Sequence, residues 1–222
     1  IFNIPFKLEI LKNVTNENKN IKLSSKKIRL DIETSLEYGE GKIAGFFDIE
    51  RINKKNLFTY EIDDNSLNFL SSDKNFKGYV NFKPFYFSAD LDFNYISQRK
   101  IFQNDSLLID LLDSELLNNA NLNASIDINI NQIDKFEHLK DFVLKVNLGD
   151  GRILMKDFKT LWNESVFINS NEIEFLNDID GKKLVGEITF NFEDIEKFFR
   201  YFQIKRNYRD VFDKIRLDFV YD

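Results

Sequence analysis

The residue types that carry acid–base or metal chemistry are few and scattered in this sequence. His138 is the only histidine, and its neighbours Glu137 and Asp141 are the carboxylates that could orient it as a general base. It sits in a polar stretch, DKFEHLKD, which is typical of a solvated turn. A zinc site needs further imidazole or thiolate ligands, and the chain contains no cysteine. The sequence therefore favours neither a histidine-dependent active site nor a zinc centre.

Carboxylates come in closely spaced pairs, and a pair of carboxylates is what a glycosidase active site uses. Asp48 and Glu50 form one pair, and Asp90 and Asp92 form another. Glycoside hydrolysis needs two carboxyl groups that face each other across a sugar-sized pocket. Both pairs instead follow an i, i+2 spacing on predicted strands, which places them on a polar face where acids serve solubility. We expect ordinary surface residues at these positions.

Two glycine-containing motifs resemble ligand loops, but each lacks the rest of its ligand set. Residues 178–181, DIDG, begin like a calcium loop and lack the further oxygen ligands and the distal Glu. Residues 149–151, GDG, lack the Lys-Ser/Thr pair of a phosphate loop. Both motifs fit hairpin turns better. The sequence predicts no catalytic constellation, no metal site and no cofactor, and hence not an enzyme.

Composition and charge narrow the class of protein further. The 222 residues are 43% apolar and 31% charged, which is typical of a folded soluble protein with one large β domain or two small ones. The net charge is −6 and no basic run exceeds a pair such as Lys26-Lys27, so we expect no nucleic-acid partner. No apolar run reaches the roughly 20 residues of a membrane helix. Because the sequence opens at Ile1 without a signal pattern, we expect a piece excised from a longer protein, with any anchor outside it.

Strict alternation of apolar and polar residues is the main structural signal. The stretch FYFSADLDFNYIS, which begins at Phe85, alternates this way because successive side chains of a strand face opposite sides. Strands with one apolar face belong to antiparallel sheets. Turn motifs at 63–66, 71–74, 149–151 and 178–181 separate consecutive strands and predict a meander of hairpins. In all we expect about ten or eleven strands, including segments at 6–10, 27–33, 42–50, 57–62, 122–130, 142–148, 151–158, 165–170, 184–192 and 214–222.

Two segments break the strand period and predict short helices. Residues 104–119 place leucines on one side after Asp105, which can cap a helix. Residues 193–204 place Ile and Phe at i, i+3, i+4 and i+7, with Asp194 near the start. The best candidate for a boundary between two halves lies just before the first of these helices, near residues 98–104.

The second half of the chain resembles the C-terminal region of the AsmA family in the order of its elements. An alternating strand opens with Asn-Leu-Asn at 121–123, and the hairpin FVLKVNLGDGRILMKDF follows at 142–158. LVGEITF at 184–190 comes next, then the aromatic helix DIEKFFRYFQIKRNYR at 194–209, then the closing strand KIRLDFVYD. The resemblance covers residues 105–222, and the first hundred residues share only strands of the same kind.

The resemblance implies both a fold and a function. AsmA-like proteins are similar to TamB and to the eukaryotic bridge-like lipid transfer proteins, so the implied fold is mainly β. The implied architecture is one long curved antiparallel sheet, a groove or taco-shaped β-meander with two short helices, as a single module over residues 1–222. The implied location is the periplasm of a Gram-negative cell envelope, attached to the inner membrane through a segment outside this chain. Phospholipid acyl chains would move along the groove towards the outer membrane, with an outer-membrane protein as a candidate partner.

The apolar strand faces are the residues that such a groove would use. A two-chain lipid has roughly thirty CH₂ groups, and each costs about 0.8 kcal/mol to expose to water. A continuous apolar wall offsets that cost without specific polar contacts. The predicted lining residues are Phe85, Phe87, Ala89, Leu91, Phe93, Ile126, Ile128, Ile130, Leu144, Val146, Leu148, Ile188 and Phe190.

A second interpretation of these residues stays open. They could instead pack on one another, or on the two helices, as an ordinary core. The chain would then be a non-enzymatic structural or assembly module of the cell envelope that acts through protein partners. The two interpretations differ in whether protein atoms or lipid-sized space lies over the apolar face.

Overall fold

Fourteen β-strands form one long, curved, open sheet in which neighbours along the chain are neighbours in space. The structure is a computed structural model that describes residues 5–12, 19–38, 43–51, 54–97, 111, 117, 119–178, 181–210 and 212–221. The strands are β1 (Lys7–Lys12), β2 (Lys19–Ser25), β3 (Leu30–Tyr38), β4 (Ile43–Arg51), β5 (Lys54–Ile62), β6 (Ser66–Ser71), β7 (Phe76–Phe82), β8 (Phe85–Ile96), β9 (Ala124–Ile133), β10 (Leu139–Gly149), β11 (Arg152–Trp162), β12 (Val166–Asp178), β13 (Gly181–Phe192) and β14 (Lys214–Tyr221). The predicted fold class, mainly β with a long curved sheet, is confirmed.

The sheet contains more strands than the alternation predicted, because β2, β6 and β7 were not expected. β6 has only six residues and lies between two polar turns, which leaves too few residues for a clear period. Both turns are present. Asp63 Oδ1 accepts hydrogen bonds from the N–H groups of Asn65 and Ser66 at 2.8 and 2.7 Å, which closes the turn between β5 and β6. In the GDG turn, Asp150 and Gly151 both have positive φ, as a tight hairpin requires.

One junction departs from the predicted meander. β8 and β9 pair in parallel, with Phe87 opposite Ala124, whereas all the other pairings of the described strands are antiparallel. Two neighbouring parallel strands need a connection that carries the chain back, along the strand direction, to the end at which the first strand began. The proposed boundary at 98–104 and the helix predicted at 104–119 both fall in this connection. They lie outside the described residues, apart from Leu111, Leu117 and Asn119.

The second predicted helix is present and shorter than expected. It is α1 (Ile195–Tyr201), and Asp194 caps it by accepting a hydrogen bond from the N–H of Lys197 at 3.2 Å. At its end, the N–H groups of Gln203 and Ile204 turn back to carbonyls of the last turn, at 3.2 and 2.9 Å. Gln203 has a φ of 54°, so these two bonds form a Schellman motif that stops the helix. A 3-10 turn, Arg206–Tyr208, leads on towards β14.

Bulges and glycines are the features of the strands that permit curvature. The β10–β11 register shifts near Asp141 and Asp157, and both of these residues have positive φ. Gly45 in β4 and Gly78 in β7 lie opposite Tyr60 and Phe69, whose rings cover them. A glycine covered by a cross-strand ring lets a sheet bend without leaving a hole in its surface.

Candidate functional site

Cross-strand register divides the sheet into an apolar face and a polar face. Residues directly opposite each other in neighbouring strands share a face, so a row of opposed residues traces one face across the sheet. From β4 to β14, every residue of the central row is apolar or glycine. The row is Gly45, Tyr60, Phe69, Gly78, Ala89, Ile126, Val146, Met155, Ile173, Gly186 and Phe219. The apolar face is therefore continuous across both halves of the chain.

All thirteen predicted lining residues lie on this apolar face. Ala89, Ile126 and Val146 belong to the central row, and the others lie above or below it by the period of two. Ala89, Ile130 and Leu148 are buried, and Phe85 is 37% exposed. The other nine are half-buried: Phe87, Leu91, Phe93, Ile126, Ile128, Leu144, Val146, Ile188 and Phe190.

The sequence prediction missed an aromatic cluster on the same face of β5–β8. The ring centroids of Phe58 and Phe76 lie 5.5 Å apart, those of Phe69 and Phe76 also 5.5 Å, and those of Phe69 and Phe87 6.0 Å. Phe58 is only 4% exposed, because neighbouring rings cover it from the side. The signal for the missed strand was present, since Phe76, Gly78, Val80 and Phe82 alternate with polar residues in β7.

Two polar side chains on the apolar face, Tyr60 and Ser71, have hydrogen-bond partners within the protein, whereas the buried hydroxyl of Ser25 on β2 has none among the described residues. The Tyr60 hydroxyl donates to the Ser35 carbonyl oxygen at 3.0 Å. The Ser71 hydroxyl donates to Asp73 Oδ1 at 2.6 Å and accepts from the N–H of Phe76 at 2.9 Å. These groups have their own partners and do not need a ligand to satisfy them. The face therefore presents hydrocarbon rather than a set of specific polar contacts.

The polar face carries opposed charges of both signs. Lys55 Nζ donates to Asp48 Oδ2 at 2.8 Å, and this hydrogen bond with the carboxylate raises the pKa of Lys55. Each exposed ion pair of this kind contributes little to stability, but the charged groups favour a hydrated face. Three more join residues that lie opposite each other: Lys77–Asp90 at 3.4 Å, Lys145–Asp127 at 3.5 Å and Lys156–Glu172 at 3.4 Å.

Protein covers one end of the apolar face in the second half of the sheet. Leu117 and Leu122, which precede β9, pack against the buried cluster of Ala124, Leu148 and Ile153. These residues mark the start of β9, the end of β10 and the start of β11. Leu117 and Leu122 therefore lie on the apolar face at this end.

Helix α1 covers the opposite end. The ring of Phe198 lies 5.8 Å from Trp162 and 5.1 Å from Phe192, at the ends of β11 and β13. Phe199 is 3% exposed and packs edge-on to Phe212 at 6.0 Å. Phe202, predicted to share the buried side of the helix, follows the helix end and stays 53% exposed while stacking on Trp162.

The residues with acid–base potential do not assemble into a site. His138 is exposed, with its ring 5.0 Å from that of Tyr201. Asp48 and Asp90 form the polar-face ion pairs with Lys55 and Lys77. Within the ranges that the structure describes, no three His, Asp or Glu side chains group as metal ligands.

Comparisons with protein-family models, characterised proteins and solved structures find no match to this chain. No helix in the described part of the chain is both long and apolar enough to cross a bilayer. The apolar face, with its two covered ends and half-buried middle, is thus the feature from which a function is inferred.

Proposed function

We propose that this chain binds phospholipid acyl chains on its apolar face and lets them move along the sheet. The observation that carries the proposal is the unbroken apolar row from Gly45 to Phe219, with half-buried apolar residues on either side of it. Hydrocarbon placed on this face leaves water at about 0.8 kcal/mol per CH₂. The charged opposite face restricts such binding to one side of the sheet.

The dimensions of the face suit an elongated apolar ligand. From β4 to β14, ten strand spacings of about 4.8 Å give a path of roughly 50 Å across the sheet. Along β9, the seven residues from Ala124 to Ile130 give a width of roughly 20 Å. Since the hydroxyls of Tyr60 and Ser71 already have hydrogen-bond partners, they offer no strong polar contact at which a sliding chain would stop.

The cellular setting of the proposal comes from the sequence resemblance to the AsmA family. On that basis we place the chain in the periplasm, attached to the inner membrane by a segment outside it, in transfer of phospholipid to the outer membrane or in its homeostasis. An outer-membrane protein is the proposed receiving partner. Transfer by sliding needs no catalytic residue and no cofactor, so the proposed activity is not enzymatic.

Native mass spectrometry and lipid extraction of the purified chain test the proposal. We expect co-purified phospholipid, and uptake of a fluorescent fatty-acyl probe by delipidated protein. Ile128→Asp should abolish both, because it places a charge in the half-buried middle of the face, whereas Ile128→Leu should retain them. Asn129→Asp is the matched control, since it adds the same charge to the polar face of the same strand. Circular dichroism of each variant verifies that the sheet is intact.

Folded wild-type protein that carries no lipid and takes up no probe would contradict the proposal. That result would favour the alternative, an assembly module whose apolar face is covered by a protein partner.

A further inference from the structure

We propose that residues 197–209 dock on the surface of an anionic lipid membrane. This segment, called the basic tip below, covers most of α1 and the 3-10 turn that follows. The inference goes beyond acyl-chain binding and does not depend on it, because attraction to headgroups uses residues outside the half-buried middle of the apolar face.

The charge of the basic tip is opposite to that of the chain. The tip contains five cationic residues and no acidic residue, within a protein whose net charge is −6. These residues are spaced along the segment, so no continuous basic run reveals them in the sequence. They are Lys197, Arg200, Lys205, Arg206 and Arg209.

Four of the five cations are available for an external anion. Arg209 is occupied, because its Nη1 pairs with Glu196 Oε2 at 2.9 Å and its side chain is mostly covered. The other four are exposed and form no ion pair with any residue that the structure describes, although Arg200 Nε donates to the carbonyl oxygen of Glu196 at 3.2 Å. Near an anionic membrane each such cation contributes roughly fivefold in affinity.

The internal contacts of Arg209 hold the tip in one shape. Its Nε donates to the carbonyl oxygen of Ile204 at 2.9 Å, and its guanidinium lies 5.7 Å from the ring centre of Phe199. The N–H of Ile204 in turn donates to the Phe199 carbonyl at 2.9 Å. The 3-10 turn is thereby fixed against the end of α1. The tip therefore loses little conformational entropy when it binds.

Exposed aromatic rings accompany the free cations. Tyr201 is 45% exposed, Phe202 53% and Tyr208 71%. Aromatic side chains with one apolar and one polar part favour the headgroup level of a bilayer, and Lys and Arg lie beside them there. The combination of rings and cations favours a lipid surface over an acidic protein or a nucleic acid. Because α1 lies on one end of the apolar face, docking here would bring that end close to the membrane.

Vesicle co-sedimentation of the full chain tests the inference. We expect binding to vesicles of phosphatidylcholine mixed with phosphatidylglycerol, a loss of binding with added salt, and little binding to phosphatidylcholine alone. The double variant Lys205→Glu/Arg206→Glu should weaken binding more than about tenfold. Lys26→Glu/Lys27→Glu is the matched control, because it makes the same charge change at an exposed adjacent pair between β2 and β3. Tyr208→Ala should weaken binding without changing its salt dependence.

Several outcomes would overturn the inference. These are no binding to the mixed vesicles, equal binding to neutral vesicles, or equal losses in the tip and control variants. Retention of the chain on RNA or heparin without vesicle binding would assign the tip to another polyanion. The result is separable from acyl-chain binding, because Ile128→Asp should still dock on vesicles and the tip variant should still take up the acyl probe.

Discussion

Strands β5–β8 and strands β9–β13 share one apolar face but cover it in different ways. In β5–β8 the rings cover one another, as in the Phe58–Phe76 and Phe69–Phe76 contacts, both at 5.5 Å. In β9–β13 separate segments of chain cover the two ends. The residues between are mainly aliphatic, with a few rings such as Phe190 and the Phe142–Phe158 pair at 5.4 Å. The same alternation therefore supports two solutions, because a single sheet can shield its apolar face either with large side chains or with added chain.

The difference identifies where a lipid would make most contact. Ile126 and Ile128 in β9, with Leu144 and Val146 in β10, are half-buried and lie between the two covered ends. The rings of β5–β8 already remove much of their own surface from water, so a ligand gains less there. We expect acyl chains to rest mainly on β9 and β10.

Removing a buried ring in each region should give the largest effects. Phe58→Ala and Phe199→Ala each delete a nearly fully buried phenyl and should cost about 3–5 kcal/mol of local stability. Hydrogen exchange should show lost protection in β4–β7 for Phe58→Ala, and in α1 and its turn for Phe199→Ala. In an open sheet each strand packs mainly on its neighbours, which keeps the damage local. Equal loss in β4–β7 from both variants would show that the two regions fold as one unit.

Alanine substitution of a ring-covered glycine in β5–β8 should have a smaller effect on stability than removal of a buried ring. A Cβ at Gly78 would lie 2.7 Å from Phe69 Cζ and would collide with the Ser88 carbonyl oxygen. Gly78→Ala should therefore destabilise the protein by about 1–3 kcal/mol in urea unfolding. Gly149→Ala serves as the control, because its Cβ would meet Asn123 Oδ1 at an ordinary 3.4 Å. Equal stability of the two alanine variants would show that the packing of the Phe69 ring does not require a glycine at position 78.

A stabilising change is expected at the end of α1. Gln203 adopts the left-handed conformation that glycine takes without strain. Gln203→Gly should raise the stability of the helix region by about 0.5–1 kcal/mol, visible as slower hydrogen exchange in α1. Gln203→Ala should bring no such gain, since alanine keeps the Cβ that makes the conformation costly. A gain of equal size from alanine would mean that relief of backbone strain is not the cause.

The smallest expected effect is a loss of stability at acidic pH, caused by Asp73 in the turn between β6 and β7. Hydrogen bonds from the Ser71 hydroxyl and the N–H of Asn75 lower the pKa of Asp73 below its usual value of 3.8. A carboxylate with a lowered folded-state pKa stabilises the fold above its unfolded pKa and stops doing so as pH falls through its folded pKa. The stability difference between wild type and Asp73→Asn should thus be constant above about pH 5 and shrink below about pH 4. Urea unfolding across this pH range measures it, and a pH-independent difference would contradict the assignment.

Much of the fold follows from local pattern, and the failures have local reasons too. Asp194 was recognisable as the start of α1, because a cap needs only the few residues around it. The end of α1 was placed too late because Gln203, rather than glycine, occupies the left-handed position. The thirteen predicted lining residues could be assigned to one face from alternation alone, whereas the ring cluster of β5–β8 required β6 and β7 to be recognised as strands.

The sequence by itself determined that the chain has two chemically distinct faces, because the period of two is a property of each strand's own geometry. Only the tertiary structure decided that β8 and β9 run in parallel, since strand direction depends on where a long connection returns. It also decided which parts of the apolar face are covered. That coverage brings together residues far apart in the chain, such as Trp162 and Phe198, or Leu117 and the cluster that contains Leu148, and no local period encodes such contacts.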